Sequence, residues 1–128
     1  MRLQYLNYKK KYFILYKIII NMNNAMSIST WGPLGWDWLH NLAICYPTSP
    51  SENDMFFTLT KIYNFINKLP CDKCKKHSIH YINTNPINVT SNKKIQYWVF
   101  HFHNSVNKKL NKKIFSILEY NIKYNKHL

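Results

Sequence analysis

The sequence predicts an all-α protein, a four-helix bundle with a short fifth helix. Its 128 residues are enough for one domain with a modest core, and they include 10 Tyr, 7 Phe and 4 Trp but only 2 Gly. Few turn-forming residues and many large apolar ones favour helices over a β-sandwich or barrel. Apolar residues also recur every three or four positions between proline-containing breaks, which is the spacing of helices that bury one face.

The first predicted helix begins near the tryptophan-rich segment and ends before Pro47. Thr30 or Trp31 caps it, and Pro33 lies in its opening turn, where a missing amide hydrogen costs nothing. The residues expected on its inner face are Trp36, Leu39, His40, Ala43 and Ile44.

The second predicted helix starts at Ser51, because Asp54 follows three residues later as in a capping box. Its apolar positions are Met55, Leu59, Ile62 and Ile66. Pro70 breaks this helix and suits the opening of a third one, which places Cys71 in the first turn of the third helix.

The third predicted helix runs to Asn85-Pro86, and Ser91 caps the fourth. The apolar stripe of the fourth helix comprises Ile95, Trp98, Val99, Phe102, Val106 and Leu110. A short fifth helix is expected around residues 114–120. Four helices with short links make an antiparallel bundle.

Residues 1–25 are basic and contain no acidic residue, so we interpret them as a dispensable extension ahead of a domain at 26–128. The apolar run at 12–20 is too short to span a bilayer and is interrupted by Lys17. The net charge of +13 is compatible with a nucleic-acid binder. Abundant Lys, Asn, Ile and Tyr indicate instead a surface shaped by biased composition, so we expect no nucleic-acid partner.

Cys71 and Cys74 form a Cys-x-x-Cys pair, the spacing that permits a disulfide or joint binding of one metal ion. A cysteine in the first helical turn meets unpaired amide hydrogens and the positive end of the helix dipole, which stabilise thiolate. Neighbouring lysines add positive potential. Cys45, at the end of an apolar pattern, is expected to be a buried, inert thiol.

The fourth helix carries a polar band beside its aromatic face. His101, Asn104 and Lys108 share one side of the helix, and His103 and Asn107 lie beside them. An adenine dinucleotide needs flat apolar surfaces for its rings, amide groups for the ring edges and a cation for the pyrophosphate. The band supplies all three.

Taken together, these motifs resemble the FAD-linked sulfhydryl oxidases of the Erv/ALR type, most closely the short forms encoded by large cytoplasmic DNA viruses. The resemblance covers residues 31 to about 115. It rests on Trp31-Gly32-Pro33, Trp36, Leu39-His40, Tyr46-Pro47, Leu69-Pro70-Cys71-Asp72-Lys73-Cys74, Gln96-Tyr97-Trp98 and the string from His101 to Leu110.

The resemblance implies a bundle with FAD at its mouth and no metal. Cys71 and Cys74 would be the catalytic disulfide, with Cys71 attacked by the substrate thiolate and Cys74 facing the flavin. The residues implied in cofactor binding are Trp31, Trp36, His40, Tyr46, His101, Asn104, Val106, Asn107 and Lys109.

The same resemblance implies a thiol oxidase that makes disulfides in partner proteins and passes electrons to oxygen, giving hydrogen peroxide. The sequence lacks the second structural disulfide and the shuttle cysteines common in cellular members, so a separate thiol-disulfide carrier is implied as a partner. A homodimer without a membrane span, working in the host cytoplasm at viral assembly sites, completes this expectation.

Two other functions remain open on the sequence. One is a zinc-binding helical module that uses Cys71, Cys74 and two of His77, His80, His101 or His103. The first four of these candidates fall within ten residues on one helix, whereas zinc ligands usually converge from separate elements. The other is a basic helical nucleic-acid binder, which leaves the Cys-x-x-Cys pair without a role.

Overall fold

Five helices make up the part of the chain that the computed structural model describes, which is residues 28–128 together with Lys10 and Ile14, with side chains from residue 32 onwards. They are α1 (Ile28–Ile44), α2 (Glu52–Asn67), α3 (Asp72–Thr84), α4 (Asn92–Lys109) and α5 (Ile117–Tyr124). Residues 28–128 contain no strand, which confirms the predicted all-α bundle with a short fifth helix. Within the same residues, no helix is both long and apolar enough to cross a membrane. Apart from Lys10 and Ile14, the predicted extension at 1–25 lies outside the described residues.

Serine side chains set the starts of three helices. The Ser51 hydroxyl accepts from the Asp54 amide at 3.1 Å, and the Asp54 carboxylate accepts from the Ser51 amide at 2.9 Å, so the predicted capping box is present. Ser91 caps α4 in the same way, as predicted. Ser116 caps α5 through the Glu119 amide, which moves this helix to Ile117–Tyr124 from the predicted 114–120.

Two other predicted helix ends are wrong. The first helix begins at Ile28, so Thr30 and Trp31 lie inside it and are not its cap. Pro33 is the sixth residue of the helix and so lies in its second turn, not in the predicted opening turn, and it removes one backbone hydrogen bond because it has no amide hydrogen. At the other end of the bundle, Leu110 is the C-cap of α4 and is 48% exposed, so it does not extend the apolar stripe.

The main core lies between the four long helices. Helix α1 packs against α4, and α2 packs against α3. The most completely buried members of this core, each at most 2% exposed, are Trp38, Leu39, Ala43, Ile62, Ile66, Ile95, Val99 and Phe102. A second cluster of Ile44, Phe100, Tyr120 and Tyr124 attaches α5 to the outside of α1 and α4.

A chain of buried polar groups joins α5, α4 and the end of α1. The Tyr120 hydroxyl donates to Gln96 Oε1 at 2.6 Å, and the Gln96 amide donates to Asn92 Oδ1. The Asn92 amide in turn donates to the carbonyls of Ala43, Ile44 and Tyr46. Because the last carbonyls of a helix have no partner within it, Asn92 acts as a side-chain cap for α1.

Candidate functional site

The cysteine pair lies where the chain enters α3. Cys71 is the N-cap residue of this helix, one position before the first turn in which the sequence placed it. Its sulfur accepts a hydrogen bond from the Cys74 backbone amide at 3.2 Å, so it satisfies an amide that the helix leaves unpaired. Both thiols are free and half-buried. The structure therefore places the pair at the positive end of a helix, open to a reaction partner.

The two thiols differ in acidity. The hydrogen bond from the Cys74 side chain lowers the pKa of Cys71, helped by the amides of Cys74 and Lys73 and opposed by burial and by Asp72. Burial, followed by the hydrogen bond and charge of Cys71, raises the pKa of Cys74 to about 11. Cys71 is therefore the more acidic thiol of the reduced pair, as is typical of reactive cysteines at helix starts.

Helix α4 brings two polar groups up to this pair. The Lys109 ammonium lies close enough to lower the pKa of Cys74 and that of His77, which is one helical turn beyond Cys74. Burial is the larger cause of the lowered pKa of His77. The His77 imidazole also makes a 3.3 Å hydrogen bond with the Ser105 hydroxyl, which ties α3 to α4 beside the thiols.

A cluster of rings joins α1 to α4 on the other side of α4. The Trp36 and His103 rings stack with their centroids 3.9 Å apart and their planes 12° from parallel. His40 Nε2 and His103 Nδ1 share a hydrogen bond of 2.9 Å. Burial, with added repulsion from lysines, lowers the pKa of His103 to about 4, and burial also lowers the pKa of His40 well below its usual value. Both imidazoles are therefore neutral at physiological pH.

His40 keeps one polar atom without a partner. The residue is 1% exposed, yet within the described part of the chain its Nδ1 has no hydrogen bond. A buried nitrogen of this kind carries a desolvation cost unless something bonds to it. The atom is therefore a natural contact for a bound group.

Asn104 fixes the segment that follows α4. Its amide donates to the Phe115 carbonyl at 2.7 Å, and its carbonyl accepts from the Phe115 amide at 2.8 Å. Asn107 adds a longer hydrogen bond of 3.4 Å to the same Asn104 oxygen. This pairing holds residues 114–115 beside α4 and so shapes the clefts on either side of them.

Two clefts flank that segment. The larger, about 730 Å³, is lined by Tyr81, Thr84, Asn85, Pro86, Trp98, His101, Asn104, Ser105, Lys108 and Ile114. The smaller, about 250 Å³, is lined by His103, Asn107, Lys113, Ile114, Phe115, Glu119, Lys123 and Tyr124. The sequence placed His101, Asn104 and Lys108 on one side of α4, and these three share the larger cleft. His103 and Asn107 share the smaller one.

Several residues assigned to the cofactor lie apart from this cluster. The Tyr46 hydroxyl donates to the Val89 carbonyl at 2.6 Å, just before the start of α4 and beyond the C-terminal end of α1, whereas Trp36 lies at the middle of α1. His101 is exposed and stacks on Tyr97. Val106 packs against the main core. The side chain of Trp31, in α1, lies outside the described residues.

His103 was part of the predicted polar band but not of the residues assigned to the cofactor, and the structure brings it into contact with Trp36 and His40. It follows Val99 by four residues and precedes Val106 by three, so it lies on the buried stripe of α4, and this spacing was the available signal. Within the described residues, no three His, Cys, Asp or Glu side chains are grouped as a metal site would require.

Comparison with known proteins identifies the family. A model described as the Erv1 / Alr family matches residues 34–125. A protein of African swine fever virus (isolate Pig/Kenya/KEN-50/1950) named FAD-linked sulfhydryl oxidase is 43% identical over 90 residues, which cover 70% of this chain and 76% of the viral protein. A mimivirus protein named probable FAD-linked sulfhydryl oxidase R368 is 31% identical over 99 residues, 73% of this chain and 68% of its own length.

Solved structures agree with this assignment. The FAD binding domain of Erv1 from Saccharomyces cerevisiae superposes with a TM-score of 0.72 at 29% identity, over 77% of this chain and 94% of the yeast domain. The yeast Erv1 core gives 0.73 at 26% identity, over 84% and 91% of the two chains. The chain belongs to the Erv1 / Alr family.

Proposed function

We propose that this protein is an FAD-dependent thiol oxidase that makes disulfides in partner proteins through Cys71 and Cys74 and delivers the electrons to oxygen. The observation that carries the proposal is the cysteine pair at the start of α3, with one thiol made more acidic and the other less so. Its membership of a family whose relatives are named FAD-linked sulfhydryl oxidases supports the same activity.

The position of the two thiols and the lowered pKa of Cys71 suit thiol-disulfide exchange. A substrate thiolate attacks the sulfur of Cys71 in the Cys71–Cys74 disulfide, the bond between the two cysteines breaks, and Cys74 leaves with the electron pair. This sulfur then takes up a proton, which is favoured by burial, the largest cause of its raised pKa. The second substrate thiolate then attacks the substrate sulfur of the mixed disulfide and expels Cys71, whose lowered pKa makes it a good leaving group. The substrate has lost two electrons, which the cysteine pair now holds.

The residues around α4 suit a bound flavin dinucleotide. The larger cleft, about 730 Å³, is within the usual range of ligand sites, about 300–1,000 Å³. The rings of Tyr81 and Trp98, the amides of Asn85 and Asn104 and the Lys108 ammonium border it. We infer that Asn104 in this cleft and Asn107 in the smaller one hold the cofactor. We infer the same of Trp36 and of His40, with its unpaired Nδ1, in the ring cluster that joins α1 to α4, and of Lys109 beside the thiols. Once bound, FAD supplies the two-electron chemistry that transfers electrons from the dithiol to oxygen and yields hydrogen peroxide.

Three further parts of the proposal rest on the resemblance. We infer that the protein works as a homodimer, that a separate thiol-disulfide carrier or the substrate protein itself reduces Cys71–Cys74, and that the reaction takes place in the host cytoplasm. Oxygen is the electron acceptor in this proposal.

The first test is a visible absorption spectrum of the purified protein, taken before and after dithiothreitol is added in air. We expect a flavin spectrum that bleaches and then recovers as oxygen is consumed and peroxide accumulates. A colourless protein that added FAD does not reconstitute would refute the flavin assignment. Metal analysis of the same sample would then test the zinc alternative.

Two sets of variants separate cofactor binding from thiol chemistry. Cys74→Ser should abolish dithiol oxidation and retain FAD, because the Cys74 thiol carries electrons but is not among the residues that we infer bind the cofactor. Loss of FAD together with activity would contradict that division. The double variant Trp36→Ala with His40→Ala should be colourless but folded by circular dichroism, and a fully yellow protein would contradict the proposed site.

A further inference from the structure

Lysines flank the reactive thiols along the chain. Lys68 is exposed at the C-cap of α2, three residues before Cys71, so their Cα atoms are at most about 11 Å apart. Lys73 and Lys76 are exposed in the first turns of α3, and Lys75 is half-buried there. We call these four lysines the basic collar.

Little negative charge balances the basic collar. Asp72 is the one carboxylate in the segment from residue 68 to residue 76. The two ion pairs found in the described part of the chain lie elsewhere, between Lys113 and Glu119 at 3.6 Å and between Lys123 and Asp37 at 3.7 Å. Asp54 serves in the capping box of α2. The basic collar therefore presents four ammonium groups against one carboxylate at the point where a substrate must approach.

We propose that the thiol substrate of this protein carries acidic side chains beside its reactive cysteines and docks on the basic collar. The inference rests on the proposed thiol oxidase function. A substrate has to bring its sulfur to Cys71, so its neighbouring residues necessarily face the collar. Clustered charge of one sign attracts partners of the opposite sign and raises their association rate by about 10 to 1,000-fold. A nucleic acid fits the charge but has no thiol to deliver, so the collar favours an acidic protein.

The experiment uses three peptides that share one Cys-x-x-Cys core and differ in their flanking residues, which are Asp and Glu, Ser and Gln, or Lys. Oxygen consumption by the flavin-loaded protein gives kcat/KM for each peptide, with dithiothreitol as an uncharged reference. At low salt, kcat/KM for the acidic peptide should exceed that for the basic one by about 10-fold or more. The ratio should approach one near 1 M salt, where the Debye length is only about 3 Å.

A matched pair of variants locates the effect. Lys73→Glu with Lys76→Glu reverses two charges of the basic collar and should reduce the acidic-to-basic ratio about 10-fold or more. Lys93→Glu with Lys94→Glu makes the same charge change on exposed lysines at the start of α4, about 24 Å along the helix from Lys109, and should leave the ratio unchanged. The ratio cancels any change in the intrinsic reactivity of Cys71, and turnover of dithiothreitol shows that each variant is folded.

The outcomes distinguish this inference from the proposed function. If the parent protein oxidises dithiothreitol but treats the three peptides alike, the acidic-partner inference is wrong and the oxidase stands. If both pairs of variants change the ratio equally, net charge acts at long range and the basic collar is not the docking surface. If the peptides react alike while added duplex DNA suppresses their turnover, the collar binds nucleic acid and the inference is again overturned. If the parent protein does not oxidise dithiothreitol at all, the proposed function itself fails.

Discussion

The buried pair His40 and His103 makes stability depend on pH in a direction that the structure fixes. The pKa of His103 is about 4 in the folded protein against 6.5 for a free imidazole, and burial is the main cause. Between these two values the unfolded chain binds a proton on His103 that the folded chain does not. The free energy of unfolding should therefore stay level above about pH 7 and decrease as the pH falls through this window.

The size of the effect follows from the two pKa values. At about pH 5 the free energy of unfolding is lower than at neutral pH by about 2 kcal/mol because of His103 alone, and this loss approaches about 3 kcal/mol below pH 4. His40 contributes in the same direction, because its pKa also lies well below 6.5. We therefore expect the flavin-free protein to lose at least about 2 kcal/mol between about pH 7.5 and pH 5. Guanidinium denaturation at the two pH values, with m-values compared, measures this loss.

A substitution assigns the effect to His103. In His103→Gln the loss on acidification should be smaller by about 2 kcal/mol, because the glutamine amide can hydrogen-bond with His40 but does not titrate. His80→Gln, at an exposed position of α3, is the matched control and should behave like the parent protein. If His103→Gln and the parent lose equal stability, the depressed pKa is not the cause and the reasoning is refuted.

Three other predictions concern the thiols and the fold. In the reduced, flavin-free protein at about pH 8, Cys74 should be only about 0.1% thiolate. Iodoacetamide should therefore modify Cys71 first, which peptide mass spectrometry would show. Equal labelling of the two cysteines would contradict the assignment. Ser51→Ala removes one half of a capping box and should lower the free energy of unfolding by about 1 kcal/mol in urea denaturation; an unchanged midpoint would mean that the cap is not needed. Tyr120→Phe leaves the buried oxygen of Gln96 without this donor and should lower the free energy of unfolding by about 1–3 kcal/mol in the same assay; an unchanged midpoint would contradict a stabilising role for this hydrogen bond.

Much of the architecture could be read from local patterns in the sequence. Apolar periodicity located all four long helices, and Ser51 with Asp54 marked a helix start that the structure reproduces. The Cys-x-x-Cys pair was likewise expected at the beginning of a helix, and the structure shifts it by one residue to the cap position. These features depend on residues three or four positions apart. Because such residues are neighbours on a helix surface, their spacing in the sequence directly predicts which of them lie together.

The composition of the site depended on contacts between distant segments. Trp36 lies at the middle of α1 and Tyr46 two residues beyond its end, so Trp36 stacks on His103 of α4, whereas the Tyr46 hydroxyl bonds to Val89 before α4 begins. His101 and His103 are two positions apart and therefore point to different sides of one helix, where His101 borders the larger cleft and His103 meets His40. The sequence by itself determined the helices and the reactive cysteine pair. Only the packing of α1, α3 and α5 around α4 decided which polar side chains meet, because those partners lie far apart along the chain.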